Sequence, residues 1–173
     1  AGTSYEKISQ LKPVFRPNGT ITAGNACPLN DGAAALVIMS DTKAKELGLT
    51  PLARIVSTGV SGLSPEIMGL GPIEAVKKAL ALAGKSVADI DLFEINEAFA
   101  VQVLGSAREL GIDEDKLNVS GGAIALGHPF GMTGARITAT LLNNLQTYDK
   151  TFGVETMCVG GGQGMAMVIE RLS

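Results

Sequence analysis

The chain has 173 residues, a length typical of a single domain, and 46% of them are hydrophobic, which is enough for a buried core. Its 14 basic and 17 acidic residues give a net charge of −3, and there is no tryptophan, so the basic, aromatic surface typical of nucleic-acid binding is excluded. The apolar runs are too short to span a bilayer, and we expect no membrane segment.

The first 30 residues are polar and rich in proline, glycine and asparagine, which predicts an irregular connector with a short extended piece near residues 20–22. The opening AGTSYEKISQLKP has neither the basic nor the apolar stretch of a signal peptide, and it lacks an initiator methionine. We therefore expect the chain to be a piece of a longer polypeptide.

The alternation of apolar and turn segments predicts the following elements. The run AAALVIM at 33–39 is typical of a buried strand, and Ser40 is expected to cap a helix over 41–47 that ends at Gly48. Further along the chain we expect strands over 53–60, 92–95, 117–119, 153–159 and 164–171, and helices over 73–83, 97–110 and 133–145.

This order predicts an α/β fold with a mixed, mostly parallel five-stranded sheet, helices on both faces, and one antiparallel strand at the end. Ligands of such sheets bind in the loops that follow the carboxyl ends of the strands. Asn96 and His128 follow predicted strands, and Cys158 lies near the end of another. We expect these three polar side chains to meet at one edge of the sheet.

Two glycine-rich turns carry the residues best suited to acid–base chemistry. His128 is the only histidine and lies in GHPFGMTG (127–134), where glycine and proline fix the backbone on both sides of it. Cys158 precedes GGGQG, whose backbone N–H groups could form an anion-binding nest. The alternatives are structural: a hydrogen-bonded histidine, a buried apolar cysteine, and a helix cap at Asn96.

Several other kinds of site are disfavoured by spacing. GGGQG lacks the lysine of a P-loop, and no GxGxxG or GxSxG motif is present. One histidine and two distant cysteines are too few for zinc, so we expect no metal. Cys27 and Cys158 do not suggest a disulfide framework, which favours a reducing intracellular compartment, with the cytoplasm as the first choice.

Three segments together resemble the carboxy-terminal signatures of thiolases: NEAFA at 96–100, GGAIALGHPFGMTGAR at 121–136 and CVGGGQGMAMVIE at 158–170. The similarity continues through GNACPLNDGAAALVIMS at 24–40 and IMGLGP at 67–72. This resemblance implies two similar halves packed together, with a loop domain in the first. Residues 1–30 would then end the loop domain, 31–51 would be the last strand and helix of the amino-terminal half, and 52–173 would be the carboxy-terminal half.

The resemblance also implies an activity, the thiolytic cleavage of a 3-ketoacyl-CoA or the reverse Claisen condensation. It places the nucleophilic cysteine in the amino-terminal half, so this chain alone should be inactive. His128 would take the proton of that cysteine, Cys158 would protonate the leaving acetyl-CoA, and Asn96 and Gly160 would contribute to oxyanion sites. Coenzyme A would be a substrate, with no tightly bound cofactor, and the whole enzyme would be a homodimer or tetramer.

Substrate-binding residues follow from the same resemblance. Met68 and Phe99 would line the acyl pocket, and the loop that contains Ala23 and Cys27 would lie along the pantetheine arm. Two departures from the common pattern are Cys27-Pro28 in place of Ser-Gly, and HPFGMTG in place of HPIGASG. We interpret these as favouring a degradative 3-ketoacyl-CoA thiolase over an acetoacetyl-CoA synthesising enzyme.

Two other functions remain open on the residues alone. Cys158 and His128 could form the nucleophile–base dyad of an acyl hydrolase. The chain could also be a noncatalytic protein that binds acyl-CoA or lipid, because a fold does not guarantee an activity.

Overall fold

The structure is a computed structural model, and it describes residues 2–173. The helices are α1 (Tyr5–Ile8), α2 (Asp41–Glu46), α3 (Gly71–Ala83), α4 (Ala100–Leu110), α5 (Ala123–Leu126) and α6 (Thr133–Thr147). The strands are β1 (Ala53–Gly62), β2 (Leu92–Ile95), β3 (Phe152–Val159) and β4 (Gln163–Arg171). Short 3₁₀ turns lie at Pro65–Leu70, Val87–Asp89 and Glu114–Lys116.

The four strands form one sheet in the order β1-β4-β3-β2. The neighbours β2 and β3 are parallel, whereas β4 runs antiparallel to both β3 and β1. The mixed α/β sheet expected from the sequence is confirmed, although two of its three strand pairings are antiparallel. The parallel pair is the part of the sheet that concerns function, because its two carboxyl ends lie at the same edge.

The fifth strand, expected over residues 117–119, is absent from the part of the chain that the structure describes. Leu117 makes a single bridge to Phe93 on β2, and Asn118 then adopts a left-handed conformation with φ 46°. The Asn118 side chain replaces the missing strand, because its Oδ1 accepts from Ile95 N at 2.9 Å and its Nδ2 donates to Ile95 O at 3.0 Å. The backbone thus turns away after one bridge, and an amide side chain satisfies the edge of β2.

Helices cover both faces of the sheet, as expected. Buried residues of α3 and α4, including Val76 and Val103, pack with Phe93 of β2 on one face. On the other face, Leu141 and Leu145 of α6 form a smaller cluster with β2 and β4. Burial of these apolar side chains is the main force that holds the helices against the sheet.

The predicted helix ends are explained by local chemistry. The helices α3 and α4 stop at Gly84 and Gly111, which have φ of 63° and 70°, the left-handed conformation that glycine adopts without strain. The helix α2 begins after Ser40, whose Oγ accepts a hydrogen bond from Lys43 N at 3.1 Å. Among the described residues, no helix combines the length and apolar character needed to cross a bilayer.

The strand expected over residues 33–39 does not form. This segment has no regular structure and its side chains are exposed, with Val37 at 86% and Ile38 at 70% exposure. A strand requires hydrogen-bonded neighbours, and β1, β2, β3 and β4 pair only with one another. The segment 33–39 therefore has the composition of a buried strand but no partner within the described chain.

Candidate active site

The candidate active site lies at the carboxyl ends of the parallel strands β2 and β3. Asn96 directly follows β2, and its backbone N donates to Thr156 O of β3 at 3.0 Å. Cys158 lies two residues further along β3, next to its last residue. The parallel pairing therefore places Asn96 and Cys158 at the same edge of the sheet, as the sequence predicted.

Asn96 is not a helix cap. The helix α4 begins at Ala100 instead of residue 97, and its capping residue is Phe99, whose backbone N donates to Gln102 Oε1 at 3.4 Å. The Asn96 side chain is fully buried, and neither Oδ1 nor Nδ2 has a hydrogen-bond partner within residues 2–173. A buried amide without a protein partner is costly unless it binds something else, so this side chain is suited to hold a ligand or a water molecule.

His128 follows α5 in a tight turn that packs against the loop 29–31. Gly127 has φ 98°, and a Cβ at this position would overlap the side chain of Asn30. The backbone N of His128 donates to Asn30 Oδ1 at 3.1 Å. The two segments border an open cleft of about 440 Å³. The glycine is thus required by close contact as well as by φ.

The imidazole of His128 is half-buried and its Nδ1 is bonded within its own turn. Nδ1 lies 2.6 Å from Thr133 Oγ1, the first residue of α6, and the ring packs against Phe130 with 4.8 Å between ring centroids. Burial lowers the pKa of His128 below its ordinary value, and the positive charge of Arg136 lowers it further. Both effects favour the neutral imidazole, which is the form that can accept a proton.

Cys158 has the opposite electrostatic character. The residue is 7% exposed, and burial raises the pKa of its thiol above the ordinary value. The neighbouring Cys27 thiol raises the pKa of Cys158 further, although a hydrogen bond with the backbone opposes both effects. Both cysteines are free. At neutral pH Cys158 is therefore a thiol that can donate a proton, rather than a thiolate.

A single loop connects the surroundings of Cys158 with those of His128. Cys27 N donates to Ala98 O at 3.0 Å, which holds the loop beside the residues that follow β2. Three residues later, Asn30 accepts the hydrogen bond from the His128 backbone. The loop 27–30 therefore contacts both the residues that follow β2 and the turn of His128. Neither Asn96 nor Cys158 lines the cleft at His128, so the expected meeting of all three side chains stays a prediction. The sequence signal for Asn30 was its position within the segment 24–40.

The glycine turn after Cys158 packs against the loop that follows β1. Gly162 has φ 86° and its O accepts from Leu63 N at 2.9 Å, and a Cβ on Gly162 would overlap Leu63. Gly160 is exposed at the start of this turn, and its O accepts from Gln163 Nε2 at 3.2 Å. The expected contribution of the Gly160 N–H to an oxyanion site stays a prediction.

The residues expected to bind substrate lie in different places. Phe99 packs edge-on against Phe15, with 5.8 Å between ring centroids, and it lines a cavity of about 480 Å³. Met68 is half-buried in the 3₁₀ turn over Pro65–Leu70, and Ala23 is exposed in the connector. Neither Met68 nor Ala23 lines this cavity or the cleft at His128, and the substrate-binding roles of both residues stay predictions.

Three buried charged residues beneath the site were missed at the level of sequence. Arg136 of α6 lies 3.9 Å from Glu94 of β2, whose Oε1 accepts from Asn144 Nδ2 at 3.3 Å. Burial raises the pKa of Glu94, and also that of Glu155 on β3, to about 7. The available signal was a carboxylate inside each apolar strand, where a charge requires a partner.

Among residues 2–173, no group of three or more histidine, cysteine or acidic side chains is arranged to hold a metal ion. The candidate site residues contribute an imidazole, a thiol and a buried amide. This set can transfer protons and stabilise a developing negative charge.

Comparison with protein families gives two matches along the chain. The family model described as "Thiolase, C-terminal domain" matches residues 49–171, and the model described as "Thiolase, N-terminal domain" matches residues 1–42. The first model alone covers more than half of the chain.

Individual proteins give the same result. The chain is 58% identical over 173 residues to an acetyl-CoA acetyltransferase of Escherichia coli. This match covers 100% of this chain and 44% of that protein. It is 55% identical to a 3-ketoacyl-CoA thiolase of Cronobacter sakazakii, over 98% of this chain and 45% of the relative. The chain thus spans under half the length of these relatives.

Solved structures with the same fold include an acetyl-CoA acetyltransferase of Bacillus anthracis, with a TM-score of 0.97 and 52% identity. A human mitochondrial 3-ketoacyl-CoA thiolase in complex with CoA gives a TM-score of 0.93 and 48% identity. Each match covers 99% of this chain and 44% of the solved chain.

Proposed function

The chain belongs to the thiolase family, and on that premise we propose that it forms the carboxy-terminal part of an acyl-CoA C-acyltransferase. The reaction is the cleavage of a 3-ketoacyl-CoA by coenzyme A into acetyl-CoA and a shortened acyl-CoA, or its reverse. The observation that carries this proposal is the placement of Asn96 and Cys158 at the same edge of the sheet, where Asn96 N donates to Thr156 O, two residues before Cys158. Burial favours a neutral imidazole at His128, which can accept a proton, and a protonated thiol at Cys158, which can donate one.

In the first half of the reaction, His128 takes the proton from a nucleophilic cysteine that lies outside these 173 residues. The resulting thiolate attacks the keto carbon, and the bond between the second and third carbons breaks. The electron pair of this bond forms the enolate of acetyl-CoA. Cys158 then transfers its proton to the second carbon, which completes the acetyl-CoA and leaves Cys158 as a thiolate.

In the second half, the Cys158 thiolate takes the proton from the thiol of an incoming coenzyme A. The coenzyme A sulfur attacks the thioester on the nucleophilic cysteine and releases the shortened acyl-CoA. The cysteine recovers its proton from His128, so that every group returns to its initial state. In the synthetic direction, Cys158 removes the α-proton of an acetyl-CoA.

Negative charge on the substrate oxygens requires hydrogen-bond donors. We assign one oxyanion site to His128 together with a water held by Asn96, and another to the N–H of Gly160. The fully buried Asn96 amide, which has no protein partner among residues 2–173, supports the first assignment. The cavity that Phe99 lines supports the role of Phe99 in the acyl pocket. Met68 is assigned to the same pocket, and Ala23 and Cys27 to the pantetheine arm, on the family resemblance alone.

The domain organisation is part of the same proposal. Residues 1–30 end a loop domain, 31–51 complete the amino-terminal half, and 52–173 form the carboxy-terminal half. The two family models leave only residues 43–48 between them, which supports a division close to this point. The exposed apolar segment 33–39 supports a missing sheet that pairs with it, in the same polypeptide or in a second chain.

Two further expectations belong to the whole enzyme. The free state of Cys27 and Cys158 supports a compartment that keeps thiols reduced, and we propose the cytoplasm. As in the family resemblance, the complete enzyme assembles as a homodimer or tetramer, and it needs no tightly bound cofactor besides its substrate coenzyme A.

The proposal is tested by thiolysis of acetoacetyl-CoA in the complete polypeptide that contains this chain. The variant C158A should lower kcat by about 10²- to 10⁴-fold, the range expected for removal of a general acid–base group. The variant C27A removes a thiol assigned to the pantetheine arm, so it should change KM more than kcat. Equal rates for C158A and the unaltered enzyme would contradict the proposal.

A second experiment distinguishes a thiolase from an acyl hydrolase. In a hydrolase Cys158 would itself carry the acyl group, which mass spectrometry after incubation with an acyl-CoA would reveal. The raised pKa of Cys158 disfavours this function, because the thiolate is the nucleophilic form.

A further inference from the structure

The hydroxyl of Thr133 lies within hydrogen-bond distance of two polar groups. It is 2.6 Å from His128 Nδ1 and 3.0 Å from the backbone oxygen of Pro129. The Thr133 residue is fully buried. A hydroxyl has one proton to donate, and a buried polar group that makes an unfavourable contact lowers stability.

The two neighbours differ in what they can offer. The Pro129 oxygen can only accept, whereas Nδ1 of a neutral imidazole is a donor in one tautomer and an acceptor in the other. Only one placement of the hydroxyl and imidazole protons makes both short contacts hydrogen bonds. In that arrangement the Thr133 hydroxyl donates to Pro129 O and accepts from Nδ1–H.

We propose that Thr133 is a positioning residue that holds His128 as its Nδ1–H tautomer, so that Nε2 carries the free lone pair. This inference rests on the proposed function for its catalytic meaning, because Nε2 is then the atom that takes the proton of the nucleophilic cysteine. An imidazole with the other tautomer would present an N–H to the same cysteine and could not act as its base.

The position of Thr133 at the start of α6 makes this arrangement rigid. Its backbone N also bonds to Pro129 O, at 3.0 Å, so the turn 129–133 is closed by both main chain and side chain. The backbone hydrogen bond to Pro129 O also makes a second arrangement of the Thr133 hydroxyl possible. Because Pro129 O already accepts from backbone N–H groups, the hydroxyl could instead donate to an unprotonated Nδ1.

The two arrangements are distinguished by ¹⁵N nuclear magnetic resonance of histidine-labelled complete polypeptide at pH 8. The His128 signals are assigned by their loss in H128N. We expect a protonated, pyrrole-type Nδ1 and an unprotonated, pyridine-type Nε2. The opposite pattern, with the proton on Nε2, would overturn the inference without any variant of Thr133.

Two variants test whether Thr133 is the cause. T133V keeps the shape of the side chain but removes the hydroxyl, and it should shift the proton towards Nε2 and lower kcat by about 10- to 100-fold with little change in KM. T133S keeps the hydroxyl and should retain the Nδ1–H pattern and most of the activity. An unchanged tautomer in folded T133V would contradict the inference.

Failure of this inference is separable from failure of the proposed function. An Nδ1–H pattern in a protein without thiolysis would leave the role of Thr133 intact and remove the proposed reaction. Thiolysis by a protein whose His128 carries its proton on Nε2 would do the reverse.

Discussion

At the scale of single residues, the surroundings of His128 and Cys158 shift the pKa of the imidazole downward and the pKa of the thiol upward. The two shifts have the same main cause, since burial disfavours the charged form of each side chain. The positive charge of Arg136 adds to the effect on His128, and the thiol of Cys27 adds to the effect on Cys158. Neighbours to which the sequence analysis gave no electrostatic role thus adjust the pKa values of His128 and Cys158.

Replacement of Arg136 tests this electrostatic effect. In R136M the pKa of His128 should rise, because removal of the nearby positive charge makes the imidazolium less unfavourable. His128 is the only histidine in these 173 residues, so a proton NMR titration of the chain reports on this one group. R136K keeps the charge and should keep the lowered pKa. A lower pKa in R136M than in the unaltered chain would refute the prediction.

The sequence offered candidate site residues but not their contacts. His128, Cys158 and Asn96 were recognisable because each sits in a turn whose backbone is fixed by glycine or follows a strand directly. Thr133 and Asn30 were not, because they are distinguished by their contacts with His128: a distance of 2.6 Å from Thr133 Oγ1 to Nδ1, and a hydrogen bond from the His128 backbone to Asn30 across 98 residues of chain. Such contacts arise from tertiary packing, which periodicity does not encode.

At the scale of elements, β2 and β3 each carry a carboxylate in an otherwise apolar strand. Arg136 of α6 is the cation that faces Glu94 and Glu155, and burial is the main reason that the pKa of each carboxyl is raised to about 7. The strands of the sheet were predicted from the sequence, and β2 begins and ends at the expected residues. The strand expected over 117–119 did not form, because Asn118 uses its side chain in place of a further strand.

These raised pKa values give a pH dependence of stability with a definite sign. A carboxyl whose pKa is about 7 in the folded chain and 4.5 when exposed contributes stability below pH 4.5 that is lost as the pH rises through 7. For Glu155 alone this amounts to about 3 kcal/mol. The contribution of His128 to stability changes with pH in the opposite direction below pH 6.5. Because E155Q and the unaltered chain both contain His128, this contribution cancels when the two proteins are compared.

Urea denaturation at pH 5 and pH 8 checks this prediction. Between these pH values, the unaltered chain should lose about 3 kcal/mol more unfolding free energy than E155Q does. The exposed Glu46 of α2 provides the control variant E46Q, which should show little change at either pH. Equal pH dependence in E155Q and the unaltered chain would show that Glu155 does not titrate in this range.

The amide of Asn118 supports the outer edge of β2. N118A removes the two hydrogen bonds to Ile95 N and O and leaves these groups unsatisfied, which should lower the unfolding free energy by about 2 kcal/mol. N118D keeps the acceptor but replaces the donor, so its loss should be smaller at a pH where the acid is protonated. Urea denaturation checks both values, and an unchanged midpoint for N118A would contradict this role.

At the scale of the whole molecule, the described chain combines a four-stranded sheet covered by helices with an exposed apolar segment over residues 33–39. The mixed sheet with helices on both faces followed from the alternation of strand and helix patterns. The sequence could not reveal that the segment 33–39 lacks a partner, because the pattern of a buried strand is the same whether or not its neighbour belongs to the chain. The structure supplies that information through the exposure of Val37 and Ile38.

Hydrogen exchange tests the proposed place of the segment 33–39. In the isolated chain, its backbone amides should exchange rapidly, because no strand within the described residues bonds to them. In the complete polypeptide the same amides should be protected, while those of β3 should be protected in both. Rapid exchange of 33–39 in the complete polypeptide would contradict the assignment of this segment to the amino-terminal half.

The buried state of Cys158 also has a consequence for chemical durability. Peroxides and alkylating agents attack sulfur in its anionic form, and a raised pKa keeps that form scarce at neutral pH. A sulfur of this kind should oxidise slowly in air, and under the proposed function it would become vulnerable only in the brief interval after it has given its proton away.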